Sequence, residues 1–286
     1  MTRLKKTDIA DIPAIINRYD RRLKEKTGLN MSGLAARAAG GDPEKIPDLS
    51  SKLAAVISVT AGQGTIAGFS RAIAAILQQL NLQVFLPEKT DVAGLQSALE
   101  KDCDMAFMAD DESFLAFDLQ GKSWIDNDDA TARIFSEALG AAAGGLAGRR
   151  VAVLGCGRIG EKALKYLQKQ GARPLALDIS ENRLAEMESE QDITVKKVKK
   201  PAPKEKAPAD IQRMLADFEL IFEATPAANL IGKDVLDHDT FLAAPGMPAG
   251  FTEEAARSCS DRIIHDPLQL GTAAMALEIV TAQEIS

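Results

Sequence analysis

The sequence predicts an α/β protein with two domains, each built on a mostly parallel sheet flanked by helices. Three observations support this prediction. The 286 residues exceed the usual size of one hydrophobic core, the 46% of hydrophobic residues supply material for two cores, and short apolar runs alternate with stretches of helical periodicity in both halves of the chain. We expect the domain boundary between residues 138 and 139, so that the domains span 1–138 and 139–286.

The first half begins with an amphipathic helix and continues with alternating strands and helices. Apolar side chains recur at helical spacing over residues 8–27, and Gly28 is a typical helix stop. Residues 33–50 contain prolines and a glycine pair and are expected to form a loop-rich connection. The order strand, helix, strand, helix, strand then follows in the segments 52–59, 66–80, 82–86, 92–99 and 104–108. This order indicates a parallel sheet with right-handed crossovers.

The second half repeats this alternation of strands and helices after a long helix. The Ala/Gly-rich helix expected at 131–147 is compatible with packing between domains or between the subunits of a homodimer. The lysine-rich segment 191–210 has little periodicity, so we expect a solvated loop, with a docking patch for an acidic partner as the alternative. Strands are expected at 151–154, 174–177, 220–223, 241–243 and 262–265, with a helix at 158–170.

Charge and cysteine usage narrow the possible partners. The 34 Lys and Arg against 41 Asp and Glu give a net charge of −7, which argues against nucleic-acid and membrane-surface binding. Cys103, Cys156 and Cys259 form no CxxC pair, so we expect reduced thiols rather than disulfides or a zinc site. The chain starts without an apolar signal segment and has no long apolar run, which predicts a cytoplasmic protein.

A glycine-rich turn in the second half has the context of a dinucleotide site. The turn Gly155-Cys-Gly-Arg-Ile-Gly160 follows a predicted buried strand and opens a predicted helix. The first glycine suits the tight turn, Gly157 allows the backbone to approach a pyrophosphate, and Gly160 allows close helix–strand packing. Arg158 and Ile159 lie within the same turn. The C-terminal domain is therefore predicted to be a Rossmann fold that binds a nicotinamide dinucleotide at a helix N-terminus.

Two further observations bear on the cofactor. Asp178 ends the next strand, where a carboxylate accepts hydrogen bonds from the adenosine ribose and repels a 2′-phosphate, so NAD is favoured over NADP. Arg183 is the residue that would favour NADP. Gly62, Gly64 and Gly68 offer a competing site in the first half, but their GxGxxxG spacing is one residue too long.

The remaining polar loops predict a cleft for a cationic substrate. Thr60, the glycine loop and the carboxylates Asp110 and Asp111 follow strands of the first half. His238 and His265 have neither metal-ligand nor triad spacing, and His265 is expected to be a packed core residue. Because carboxylates dominate and no lysine or histidine is marked as a base, an amine substrate fits better than a hydroxy acid. Loops after strands of the second half are expected to converge on the nicotinamide, with Thr225, Pro226, Asn229 and Pro245 as cofactor contacts.

Several short motifs, read together, resemble the PylD family of pyrrolysine biosynthesis dehydrogenases. The matching stretches span nearly the whole chain; they include TGL at 27–29, VTAGQG at 59–64, MADD at 108–111, GCGRIG at 155–160, FEATP at 222–226, APG at 244–246 and GTA at 271–273. The family loop reads VTSGNG, so Ala61 and Gln63 depart from it. Gln269 likewise replaces a family glycine.

The resemblance implies an NAD-dependent enzyme. It would oxidise the primary side-chain amine of an isopeptide of L-lysine and 3-methyl-D-ornithine, release ammonia and close a ring to give pyrrolysine. Carried over by position, the substrate contacts would be Leu4, Thr60, Gly62, Gly64 and Asp110, with Asp110 as the catalytic carboxylate. Asn127 also falls at a matching position.

Two alternatives remain open on the sequence. One is a dehydrogenase of another amino acid or amine on the same fold, since one fold hosts many reactions. The other is a non-catalytic NAD(H) sensor, which the absence of a marked histidine or lysine base would favour.

Overall fold

The computed structural model describes residues 4–191, 193–202, 205–236 and 239–285, and within them it contains two sheets and eleven α-helices. The helices of the first half are α1 (Lys6–Ile9), α2 (Ile12–Thr27), α3 (Met31–Ala38), α4 (Phe69–Gln79), α5 (Asp91–Glu100) and α6 (Asn127–Ala142). Those of the second half are α7 (Arg158–Lys169), α8 (Glu181–Gln191), α9 (Ala209–Leu215), α10 (Glu253–Ser258) and α11 (Gln269–Ile285). A short 3₁₀ turn covers Lys233–Val235.

The first sheet has five strands in the described part of the chain: β1 (Leu53–Ser58), β2 (Gln83–Phe85), β3 (Met105–Ala109), β4 (Phe114–Asp118) and β5 (Ser123–Asp126). Their order is β2-β1-β3-β4-β5. The pairs of β1 with β2 and β3 are parallel, which confirms the predicted alternation, whereas β4 and β5 pair antiparallel. The sequence interpretation missed these two strands. Because only residues 110–113 separate β3 from β4, the connection is too short for a parallel crossover.

The second sheet has six strands among the described residues, all of them parallel: β6 (Arg150–Leu154), β7 (Arg173–Asp178), β8 (Thr194–Lys197), β9 (Leu220–Glu223), β10 (Phe241–Ala243) and β11 (Ile263–Ile264). Their order, β11-β10-β9-β6-β7-β8, is that of the Rossmann fold. The prediction of this fold class is confirmed. The lysine-rich segment 191–210, for which the sequence predicts a solvated loop or an irregular edge segment, contains β8 as an edge strand of this sheet.

The N-terminal segment differs from one continuous helix. α1 and α2 are separated at Ala10 and Asp11, two residues before Pro13, which has no N–H for the hydrogen bond that a continuous helix needs. α2 ends at Gly28 in the left-handed conformation, as expected from the sequence. The expected loop over 33–50 is wrong at its start, because α3 begins after Asn30, whose side chain accepts the N–H of Gly33 at 2.9 Å.

One apolar core joins the two sheets. The buried cluster includes Phe107 of the first sheet, Phe135 of α6, and Val153 and Phe222 of the second sheet. α11 follows the last strand of the second sheet, yet it packs against α3, α6 and β5. The chain therefore returns to its first half after completing the Rossmann sheet. No helix of the described residues meets the length and hydropathy that crossing a membrane requires.

Candidate functional site

A cavity of about 430 Å³ lies where the carboxyl ends of strands from both sheets meet, a volume typical of small-molecule sites. Its lining includes ten residues that the sequence marks as candidates: Leu4, Gly64, Asp110, Asp111, Gly157, Arg158, Ile159, Thr225, Pro226 and Pro245. Six others do not belong to its lining: Thr60, Gly62, Gly155, Gly160, Asp178 and Asn229. The two halves of the chain thus contribute to a shared cavity, and the outlying residues support its walls.

The glycine-rich turn has the close packing that a dinucleotide turn requires. Gly155 has a φ of 93°, and a Cβ there would lie 2.8 Å from the side chain of Thr225. A Cβ at Gly160 would overlap the carbonyl oxygen of Gly155. At Gly157, the nearest atom to a Cβ is the flexible guanidinium end of Arg183, at 3.3 Å. α7 begins directly after Gly157, so its N-terminus faces the cavity and favours an anion there.

Asp178 supports this turn from the end of β7. Its Oδ2 accepts the N–H of Cys156 at 2.7 Å, and its Oδ1 accepts the N–H of Ser180 at 2.8 Å. Arg183, which the sequence marks only as the residue that would favour NADP, lies in α8, and its side chain lines the cavity beside Gly157. Side chains in a first helical turn point back toward the helix N-terminus, which is the signal that would have found it.

The carboxylates after β3 have different partners. The Oδ1 of Asp110 accepts the N–H groups of Glu112 at 2.8 Å and Ser113 at 2.9 Å, and these donors lower the pKa of Asp110 below its usual value. Asp110 is exposed at the cavity mouth and stays ionised at neutral pH. Asp111 accepts the N–H of Gln63 at 2.7 Å, which ties the first-half glycine loop to the end of β3.

Thr60 and Gly62 position that loop rather than line the cavity. The N–H of Thr60 donates to Asp91 Oδ1 at 2.8 Å, and its hydroxyl donates to Asp91 Oδ2 at 2.7 Å. A Cβ at Gly62 would overlap the carboxylate of Asp111, so a glycine is needed for this close approach.

Two buried carboxylates in the cavity wall, Asp266 and Asp128, are not among the predicted site residues, although the loop that begins at Asp266 is expected from the sequence to reach the crevice. Asp266 follows β11; its Oδ2 accepts the hydroxyl of Tyr19 at 2.6 Å and its Oδ1 accepts the N–H of Leu270 at 3.2 Å. Burial raises the pKa of the Asp266 carboxyl and also that of the Tyr19 phenol. Asp128, in the first turn of α6, forms an ion pair with Arg158 at 2.5 Å. Only the long-range packing of α2, α6 and α7 brings these groups to the cavity.

Glu223, at the end of β9, lies directly beneath two of the cavity loops. Its Oε1 accepts the N–H of Thr225 at 2.7 Å and the hydroxyl of Thr225 at 2.5 Å, and a Cβ at Gly250 would overlap its carboxyl group. Complete burial raises the pKa of Glu223 to about 7. Glu223 therefore fixes the loop at 225–226 against the turn at 245–250.

The histidines and cysteines contribute no metal site in the described residues, where no group of three potential ligands is arranged for an ion. His265 is half-buried, with Nδ1 2.6 Å from the carbonyl oxygen of Ala244 and its ring edge-on to Phe251. His238 lies outside the described residues. Cys103, Cys156 and Cys259 are buried free thiols.

The glycine turn on a Rossmann sheet, facing a second sheet across a shared cavity, defines an α/β protein of the dehydrogenase fold. Residues 8–125 match the family described as the N-terminal domain of pyrrolysine biosynthesis protein PylD. The chain is 29% identical over 280 residues to the pyrrolysine synthase of Methanosarcina barkeri, covering 98% of each chain. It is 26% identical over 282 residues to that of Methanosarcina acetivorans, covering 98% of this chain and 100% of the relative. The chain is therefore similar to PylD proteins along almost its whole length.

Solved structures with a similar chain trace include two dehydrogenases. Quinate dehydrogenase from Corynebacterium glutamicum aligns with a TM-score of 0.49 at 13% identity, covering 82% of this chain and 98% of that one. Shikimate dehydrogenase from Aquifex aeolicus aligns with a TM-score of 0.47 at 12% identity, covering 82% and 91%.

Proposed function

We propose that this protein oxidises the primary side-chain amine of the L-lysine/3-methyl-D-ornithine isopeptide with NAD, releasing ammonia and closing the ring of pyrrolysine. The observation that carries the proposal is the shared cavity, in which the dinucleotide turn at Gly157–Ile159 faces the carboxylate of Asp110. The similarity to two pyrrolysine synthases over 98% of the chain supports the choice of substrate.

The residues present fit a dinucleotide. Added Cβ atoms at Gly155 and Gly160 would fill the turn, and the N-terminus of α7 suits a pyrophosphate, with Gly157, Arg158 and Ile159 around it. Gly155 and Gly160 shape this turn, and Asp178 and Arg183 would lie toward the adenosine ribose. Thr225, Pro226 and Pro245 line the cavity and would lie toward the nicotinamide. Asn229 donates its N–H to the carbonyl oxygen of Ala249 at 3.2 Å and would support the same loop. When bound, NAD supplies the hydride acceptor.

In the proposed reaction the amine-bearing carbon loses a hydride and its nitrogen loses a proton, which leaves an iminium. The α-amine of the ornithine part then attacks this carbon, and ammonia leaves as the ring imine forms. Asp110 is suited to hold the substrate ammonium because its low pKa keeps it charged. Asp266 is suited to accept the proton, since burial makes its carboxylate the stronger base of the two.

The chain division belongs to the same proposal. Residues 1–138, with Leu4, Thr60, Gly62 and Gly64, would form the substrate-binding domain, and residues 139–286 the dinucleotide domain. Leu4 lines the cavity and packs against the shared core, which suits a residue that covers the substrate.

The experiment is to mix the purified protein, NAD and the isopeptide, to follow NADH by absorbance, and to identify the product by mass spectrometry. We expect NADH together with a ring-closed product that has lost ammonia. Asp110→Asn should lower kcat/KM by about a hundredfold, whereas Glu253→Gln, an exposed carboxylate on α10, should leave it unchanged. NADH formation only from simpler amines would instead favour a broader amine dehydrogenase, and NADH binding without turnover would favour a sensor.

A further inference from the structure

Three polar pairs join the dinucleotide-binding helix to the first turn of α6. Arg158, Lys162 and Tyr166 lie four residues apart on one face of α7. Arg158 pairs with Asp128 at 2.5 Å, Lys162 with Asp126 at 3.3 Å, and the Tyr166 hydroxyl donates to Asp129 at 2.8 Å. We call these three pairs the α6–α7 clasp.

Arg158 differs from the other two members because it also lines the cavity. Its second contact is with the first half of the chain, where its guanidinium donates to the carbonyl oxygen of Glu112 at 2.9 Å. Glu112 follows the paired aspartates and its N–H donates to Asp110. One side chain of the glycine turn is thus bonded to the loop that holds the proposed ammonium-binding carboxylate.

Asp128 depends on this guanidinium. Its side chain is only 5% exposed, whereas that of Arg158 is 51% exposed and so is accessible to a ligand in the cavity. Burial raises the pKa of Asp128, and Arg158 opposes this rise. If Arg158 turned away, this buried carboxylate would keep only the weaker attraction of Lys162, and it would attract another cation in the cavity.

We propose that Arg158 and Asp128 couple the two halves of the site, so that a bound dinucleotide pyrophosphate draws Arg158 from Asp128 and exposes that carboxylate to the substrate ammonium. Both residues line the cavity, and Arg158 lies at the first position of α7, where a pyrophosphate would bind. The inference rests on the proposed function. It makes Asp128 a second carboxylate for the cationic substrate and makes dinucleotide and substrate binding positively cooperative.

The test is calorimetric titration of the full-length protein with the isopeptide, with and without saturating NADH. NADH is the probe because it cannot accept a hydride, so no turnover disturbs the measurement. We expect NADH to tighten isopeptide binding by about fivefold or more in the wild type. In Arg158→Gln this ratio should fall to about one, because the residue that both sites influence is gone. Lys165→Gln is the matched control: it removes a cation from α7 whose partner, Glu161, lies on the same helix at 3.1 Å. It should keep the wild-type ratio.

The change in NADH affinity of a second variant distinguishes the proposed coupling from a purely structural role of the pair. Asp128→Asn removes the anion that competes with the pyrophosphate for Arg158, so NADH alone should bind about two- to fivefold more tightly. If the pair only braces the turn, the same variant should weaken NADH binding or leave it unchanged, and the coupling proposal is wrong. The proposal is equally wrong if NADH tightens isopeptide binding by the same factor in Arg158→Gln as in the wild type. It is also wrong if NADH leaves isopeptide binding to the wild type unchanged. Failure of NADH or the isopeptide to bind at all would contradict the proposed function itself.

Discussion

Asp178 shows how a single side chain serves both the fold and the proposed cofactor. Its two oxygens accept N–H groups from Cys156 and Ser180, so it fixes the glycine turn, and in the proposed complex it would lie toward the ribose. We expect Asp178→Ala to weaken NADH binding by roughly 1–2 kcal/mol and NADPH binding by less, because the variant also loses repulsion of a 2′-phosphate. Fluorescence titration of both nucleotides measures this. Unchanged NADH affinity would contradict the placement of the cofactor on this turn.

Arg183 provides the complementary variant. It lines the cavity next to Gly157, and its charge would favour any phosphate there. Arg183→Gln should weaken NADPH binding at least as much as NADH binding. The ratio of NADH affinity to NADPH affinity, measured in the wild type, Asp178→Ala and Arg183→Gln, shows which of the two residues determines the cofactor preference.

Glu223 predicts a pH dependence of stability. Burial raises its pKa to about 7 in the folded protein, above the ordinary glutamate value of 4.5. The folded state therefore holds this proton more tightly than the unfolded state. Any stability gained from that proton is fully present below pH 4.5 and is lost as the pH rises through 7.

The variant Glu223→Gln keeps an oxygen acceptor for Thr225 and cannot ionise. Its free energy of unfolding should resemble that of the wild type near pH 4.5 and exceed it above pH 7, by on the order of 3 kcal/mol. Urea unfolding at pH 5, 6, 7 and 8 measures the difference between the two proteins. A difference that stays constant over this range would show that Glu223 does not titrate as its burial indicates.

At the scale of elements, the glycine turn and α7 predict that two glycines of one motif have separable roles. Gly160→Ala forces a Cβ against the backbone of Gly155, so α7 must move away from β6. Gly157→Ala meets only the flexible end of Arg183. We expect Gly160→Ala to lower both stability and NADH affinity, and Gly157→Ala to lower NADH affinity about tenfold with little loss of stability. Thermal unfolding and NADH titration together test this, and equal losses of stability would contradict it.

The elements that sequence reasoning recovered are those with strong local signals. The alternating strands and helices of both halves, the stop at Gly28 and the turn at 155–160 all follow from periodicity and glycine placement. α3 was missed because the glycines and prolines after it dominate that stretch. β8 was missed because its lysines face solvent on an edge strand, where pairing with β7 rather than burial defines the strand.

The candidate site likewise contains residues that local sequence motifs identify and residues that only long-range packing brings together. Motifs in the sequence identify the loops of the site, and ten of the candidate residues line the cavity. The partners of those loops depend on contacts between distant segments: Thr60 with Asp91, Tyr19 with Asp266, Arg158 with Asp128. No spacing rule in the sequence encodes such contacts, because they arise only when segments that are distant along the chain pack together.

At the scale of the whole molecule, the return of α11 to the first sheet makes the two halves interdependent. Leu277 is fully buried on α11, and Glu278 pairs with Arg133 of α6. We expect Leu277→Ala to lower the free energy of unfolding by about 2–5 kcal/mol and to shift one cooperative transition rather than split it in two. Calorimetry measures the number of transitions. Two transitions with only one of them shifted would show that the halves unfold independently.

The α6–α7 clasp also fixes the rotation of α7 about its own axis. Residues 158, 162 and 166 recur at nearly one helical turn, so all three pairs point in one direction. Inserting one residue between them would turn the residues beyond it by about 100° and break the series. The number of residues between Arg158 and Tyr166 is therefore constrained as tightly as their identity, and insertions between these two residues should not be tolerated.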